Sequence, residues 1–221
     1  MKTVAALGIS AHMGWAAVVS VALEKGPIRI LRTDRIATGT TADPETVEPY
    51  HVAAGIDSPE RPRTADAREI IRRGLTKQRR HTLASLRALE RALRGSGFTL
   101  MAGAILCGRG RNAASLDRIL ASHAQIHTAE GIAVRDALAS ALVKLGVRAS
   151  MVDRDTAFEK AAATLELEEA VITATLKSLR PENGGPWRQE HKLAALAAWL
   201  ALQERVVRPD GGSRRARARR R

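Results

Sequence analysis

His123 and His127 stand four residues apart, and Glu130 follows three residues later, in the phrase Ser122-His123-Ala124-Gln125-Ile126-His127-Thr128-Ala129-Glu130. On an α-helix those three side chains fall on one stripe. Two imidazoles at that spacing can ligate a transition metal, with a carboxylate as a third ligand, or work as general acid and base. The glutamate does not lie between the histidines, so the pattern is not that of the zinc proteases. A pair of histidines bonded to water or backbone has the same spacing, and that plain reading stands beside the chemical one. His12 and His191 are the further histidines that folding can bring near. Asp153, at the end of an apolar run, is a second candidate metal ligand beside Glu130.

A second set of residues suits anions. Gly108-Arg109-Gly110-Arg111 follows the apolar run Leu100 to Cys107. Its backbone amides, with Arg109 and Arg111, can cradle a phosphate, or the glycines can serve a plain turn. Arg72, Arg73, Lys77 and Arg80 line a stretch of helical periodicity, and Arg214 and Arg215 begin an arginine-rich end without acids. Such residues bind phosphates by releasing counterions, and they equally serve as solvated surface. With 36 Lys+Arg against 23 Asp+Glu the formal net charge is +13, so a polyanionic partner, DNA or RNA, fits the field. Aromatic residues make up 3%, too few for a platform on which bases stack. The single cysteine, Cys107, excludes an intrachain disulfide and a four-cysteine zinc site. Lys2 and the apolar residues to Leu23 do not form a convincing leader, because His12, Gly8 and Gly14 interrupt them. The expectation is a cytoplasmic protein without a membrane partner.

These residues need a frame. Residues 3–9, 14–23 and 27–37 read as three consecutive strands, an antiparallel meander, with alternation in the third. Residues 38–65 are rich in Gly, Thr, Pro and acids and read as a loop excursion with an apolar island at Tyr50 to Ala54. Helical spacing runs over 66–94, stopped by Gly95 and Gly97. A buried strand at 100–107, a helix over 115–145, a strand at 147–152, helix in one or two pieces over 153–179, and an alanine-rich helix over 187–206 follow. This order predicts an α/β fold: a mixed sheet with helices on both faces. One domain over 1–206 and a disordered basic tail over 207–221 complete the organisation.

The opening Gly8-Ile9-Ser10-Ala11-His12-Met13-Gly14-Trp15-Ala16-Ala17-Val18-Val19 and the final Glu190-His191-Lys192-Leu193-Ala194-Ala195-Leu196-Ala197 resemble the ribonuclease H-like superfamily. In pattern the chain is most similar to Holliday-junction resolvases of the RuvC type. The resemblance implies a ribonuclease H-like sheet and a site where carboxylates hold Mg²⁺ or Mn²⁺ for phosphodiester cleavage. It places Ser10 where the family has its first-strand aspartate, and Cys107 near the middle-strand acid. The final-helix acids fall near Glu190, His191 and Ala194. A hydroxyl cannot replace an anionic bridging ligand, so the resemblance implies a degenerate catalytic site on a fold that binds nucleic acid. Two alternatives stay open. One is a scaffold protein without activity, with a second copy of the chain as a candidate partner. The other is a metal-dependent nuclease whose site is rebuilt from His123, His127 and Glu130 with Asp153 or His191, Ser10 standing as a further catalytic candidate and a divalent metal as cofactor. Outside that last alternative no cofactor is expected.

Overall fold

The computed structural model describes residues 3–23, 28–55, 64–108 and 114–207. The three opening runs form β1 (Thr3–His12), β2 (Trp15–Leu23) and β3 (Ile28–Ala37). β4 (Phe98–Cys107) and β5 (Arg148–Asp153) complete a five-stranded sheet in the order β3-β2-β1-β4-β5. β2 runs antiparallel to β1 and β3, whereas β4 is parallel to β1 and β5 parallel to β4. That order and those directions are the ribonuclease H-like arrangement.

β1 and β2 are central and covered on both faces, which is why they read as nearly unbroken apolar runs. β3 behaves differently from its predicted alternation. The pairing with β2 shifts between Ser20 and Val21, leaving Leu31 as an extra residue on the β3 side. Such a bulge reverses the alternation, so Ile28 and Ile30 enter one core while Leu31 and Ile36 enter the other.

Helices α2 (Thr64–Gly95) and α4 (His123–Lys144) cover one face, burying Leu86, Leu89, Leu93, Val134, Leu138 and Leu142 against Leu7, Ile9 and Ile105. Helix α7 (Gln189–Val207) covers the other, flanked by α5 (Ala157–Leu165) and α6 (Glu169–Ser178). Its run Ala194 to Leu202 is buried on every side, so it has no amphipathic stripe. Closeness of approach explains Gly8. A Cβ there would collide with the carbonyl oxygen of Ala194, so only glycine lets α7 lie this near β1.

Two predicted elements change. The excursion 38–65, read as a loop, holds a 3₁₀ turn at Pro44–Thr46 and a helix α1 (Pro49–Ala54) among its described residues. Pro49 opens α1 and Gly55 closes it with a left-handed φ of 63°, signals too close together for periodicity to register. Both pieces pack on α2, where buried Gln78 donates to the carbonyl of Thr46 at 3.2 Å. The predicted helix 115–145 is broken, with α3 (Leu116–Leu120) ending before α4 begins. The basic tail from 208 onward lies outside the described residues. Among the described residues no helix is long and apolar enough to cross a membrane.

Candidate functional site

In open α/β sheets, ligands bind beyond the carboxyl ends of the strands, where neighbouring strands lead to opposite sides. Here β4 leads to α4 on one face and β5 to α5 on the other, so that crevice lies between β4 and β5, with the end of β1 on the other side of β4. Ser10 is fully buried near the end of β1 and pairs in register with Leu106, next to Cys107. Cys107 in turn pairs with Asp153. Of these end positions Asp153 supplies a carboxylate, and it accepts the backbone N–H of Asp155 at 3.0 Å, stabilising its own turn.

Arg154 occupies the approach to Ser10. Its backbone N–H donates to the carbonyl of Cys107 at 2.9 Å, which fastens the turn after β5 to the end of β4. From there the guanidinium reaches across and donates to Ser10 Oγ at 2.6 Å. A cationic side chain thus stands against the position at which the resemblance implies a metal-binding aspartate. Arg135, on α4, adds a second cation. Burial pushes its guanidinium below the usual arginine range, and Arg154 adds repulsion, while Cys107 and Asp136 pull the other way.

At the start of α7 the acid is paired with a histidine. Glu190 Oε2 lies 3.1 Å from Nε2 of His12. His12 stacks on Trp15 with ring centroids 4.0 Å apart, and the Arg35 guanidinium lies 4.1 Å from the same indole. His191 is buried, and its Nδ1 accepts the backbone N–H of Arg188 at 3.2 Å, a helix-capping contact. Burial holds this imidazole below its ordinary pKa, which favours the neutral form.

The histidine stripe on α4 acquires a partner from elsewhere. His51, on α1, meets His123 and His127, and one ligand atom of each lies within 4.8 Å of the others. Ring centroids are 4.4 Å apart for His123 and His127, 4.6 Å for His51 and His127, and 5.4 Å for His51 and His123. His51 is buried, whereas the two α4 histidines are exposed. Glu130 lies beneath them at 0% exposure. Its Oε1 accepts the backbone N–H groups of Tyr50 at 2.6 Å and His51 at 3.1 Å, and lies 3.5 Å from His51 Nδ1. Its Oε2 has no hydrogen-bond partner among the described residues. Burial pushes the Glu130 carboxyl up to about 8; the amides of His51 and Tyr50 oppose the shift and Glu48 adds to it.

Thus folding joins His123, His127 and Glu130, as their spacing predicts, but adds His51 and leaves Ser10, Asp153 and His191 with other partners. The group can coordinate a metal through three imidazoles, with the carboxylate behind one of them. His51 escaped the sequence reading because it lies in the excursion, far from the α4 pair along the chain. The apolar island at Tyr50 to Ala54 was the available signal that this stretch folds back.

The basic stripe of α2 is largely matched by acids. Arg72 pairs with Glu69 at 2.6 Å, Arg73 pairs with Glu45, and Lys77 reaches Asp43 at 2.7 Å and Glu45 at 3.2 Å. The Arg73 guanidinium, then Lys77, hold the Glu45 carboxyl down at about 2. Arg80 is exposed on the same helix. Arg109, Arg111, Arg214 and Arg215 lie outside the described residues.

Neither a family model nor a curated protein matches the sequence. Among solved structures, the chain is similar to RuvC of Thermus thermophilus in complex with a Holliday-junction substrate, at 14% identity and TM-score 0.48, over 92% of this chain and 96% of that one. It is similar to the yeast mitochondrial Holliday-junction resolvase at 11% identity and TM-score 0.40, over 91% and 80%. The PPX-GPPA enzyme of Aquifex aeolicus matches at 8% identity and TM-score 0.34, over 75% of this chain and 41% of that one.

Proposed function

We propose that this chain binds a nucleic-acid backbone at the carboxyl edge of its sheet and does not cleave it by divalent-metal chemistry. The hydrogen bond from Arg154 to buried Ser10 carries this reading. Two-metal cleavage needs carboxylates that gather cations. Here the Arg154 guanidinium, with Arg135 nearby, stands beside the Ser10 hydroxyl and the carboxylate of Asp153; the two positive charges oppose Mg²⁺ and complement a phosphate oxygen. The overall charge of +13 supplies long-range attraction of the same sign.

Binding to duplex, single-stranded and four-way-junction DNA and to structured RNA tests the reading. Full-length protein, Arg154→Ala and a truncation after Pro209 would be titrated at two salt concentrations with Mg²⁺ or Mn²⁺ present. The expected result is salt-sensitive binding that survives truncation, falls about tenfold in Arg154→Ala, and gives no cleavage. Cleavage by the parent protein overturns the proposal. Binding that disappears with the tail assigns the contact to residues 210–221, and no binding at all leaves a scaffold role for the domain.

A further inference from the structure

We propose that His51, His123 and His127 bind one transition-metal ion of the Zn²⁺ class, with Glu130 orienting His51 and a fourth coordination position open to solvent. The site is independent of the strand-end reading and stands whether or not nucleic acid binds there.

Ligand type sets the metal. Three imidazoles favour zinc, cobalt, nickel or copper, whereas magnesium and calcium require oxygen. Position comes from two elements. His123 and His127 occupy successive turns of α4 on one face, the spacing at which a helix offers two nitrogens to one ion. α1 delivers His51 from the opposite side, its backbone N–H held by Glu130 at 3.1 Å. The three ligand atoms lie within 4.8 Å of one another. Nitrogens around a tetrahedral zinc are separated by roughly 3.3 Å, given Zn–N bonds of about 2.0 Å. Small side-chain rotations of exposed His123 and His127 close that difference.

Glu130 supplies a second, independent observation. A metal-bound imidazole commonly donates its other ring N–H to a carboxylate, which fixes the tautomer and strengthens the ligand. Glu130 Oε1 lies 3.5 Å from His51 Nδ1, so a small shift would bring the two into a hydrogen bond with the other ring nitrogen turned to the ion. A fully buried carboxyl whose Oε2 meets no partner among the described residues also suits a site that gains positive charge. Exposure of His123 and His127 keeps the remaining coordination position accessible to water or an anion. The bound ion would tie α1 to α4.

Titration of the full chain with Zn²⁺ and Co²⁺ tests the site, with circular dichroism as a folding control. The expected result is one ion per chain and a visible Co²⁺ spectrum of four-coordinate intensity. His127→Ala should weaken binding about 100-fold, and Glu130→Gln about tenfold with the four-coordinate spectrum retained. His81→Ala, on the outer face of α2, should bind like the parent. Undiminished affinity in folded His127→Ala, or no four-coordinate Co²⁺ spectrum in the parent, overturns the proposal. A loss in His81→Ala equal to that in His127→Ala overturns it as well, because binding would then be generic to surface histidines.

Discussion

At the end of β1 a guanidinium leans on a hydroxyl; beyond it, between α1 and α4, three imidazoles face one another over a buried carboxyl. Both clusters are polar, but they are built for opposite charges. As proposed above, the first suits an anion and the second a cation. The strand ends inherit their place from the sheet order, which fixes the crevice whatever residues line it. The histidine group depends on an excursion that happens to fold back over α4. Two clusters of opposite charge preference thus sit on one fold, one placed by the strand ends and the other by a segment packed on α4.

Three changes would break or sharpen that contrast. The largest effect should come from Glu130. Its carboxyl is raised to about 8 by burial, against about 4.5 in the unfolded chain. Between those values the folded protein holds a proton that the unfolded chain has lost. Stability of metal-free protein should therefore be greatest below about pH 4.5 in this contribution, fall through about 8, and then level off, by a few kcal/mol overall. Glu130→Gln should flatten that fall, as measured by urea unfolding with a chelator at pH 5 and pH 9. An unchanged profile would show that this carboxyl is not the titrating group.

Ser10→Asp should act next most strongly, on the other cluster. An aspartate within reach of Arg154 would take up the guanidinium in a charge-assisted pair. Phosphate-backbone affinity should drop about tenfold in a filter-binding assay. Equal affinity would mean that Arg154 is not the contact.

The smallest effect should come from the α2 surface. Replacing Glu45 by Gln removes partners of Arg73 and Lys77, but both cations are partly exposed. We expect less than about 1 kcal/mol at pH 7, screened by salt. Because this carboxyl is depressed to about 2, the difference between Glu45→Gln and parent should be present above about pH 4.5 and vanish as pH falls through 2. Thermal unfolding at two pH values and two salt concentrations checks it.

The strands and long helices were readable because central strands are apolar throughout and α2 carries leucines at helical spacing. The α4 histidines were readable for the same reason, since a helix fixes its i and i+4 neighbours. Other features were set by tertiary contacts. Leu31 enters the second core through a bulge that alternation alone does not display. Arg154 is one of 36 basic residues, and nothing in its local sequence marks it as the one that reaches Ser10. His51 required knowing that α1 docks beside α4.

The close seat of α7 on β1, permitted by Gly8, also bears on the order in which the chain is made. β1 leaves the ribosome before α7, the helix that covers its face and the last element among the described residues. All five strands can be synthesised while Ala6, Val19 and Leu106 still lack the α7 side of their core. The sheet must therefore wait with one apolar face bare, and its final closure follows synthesis of residues 189–202.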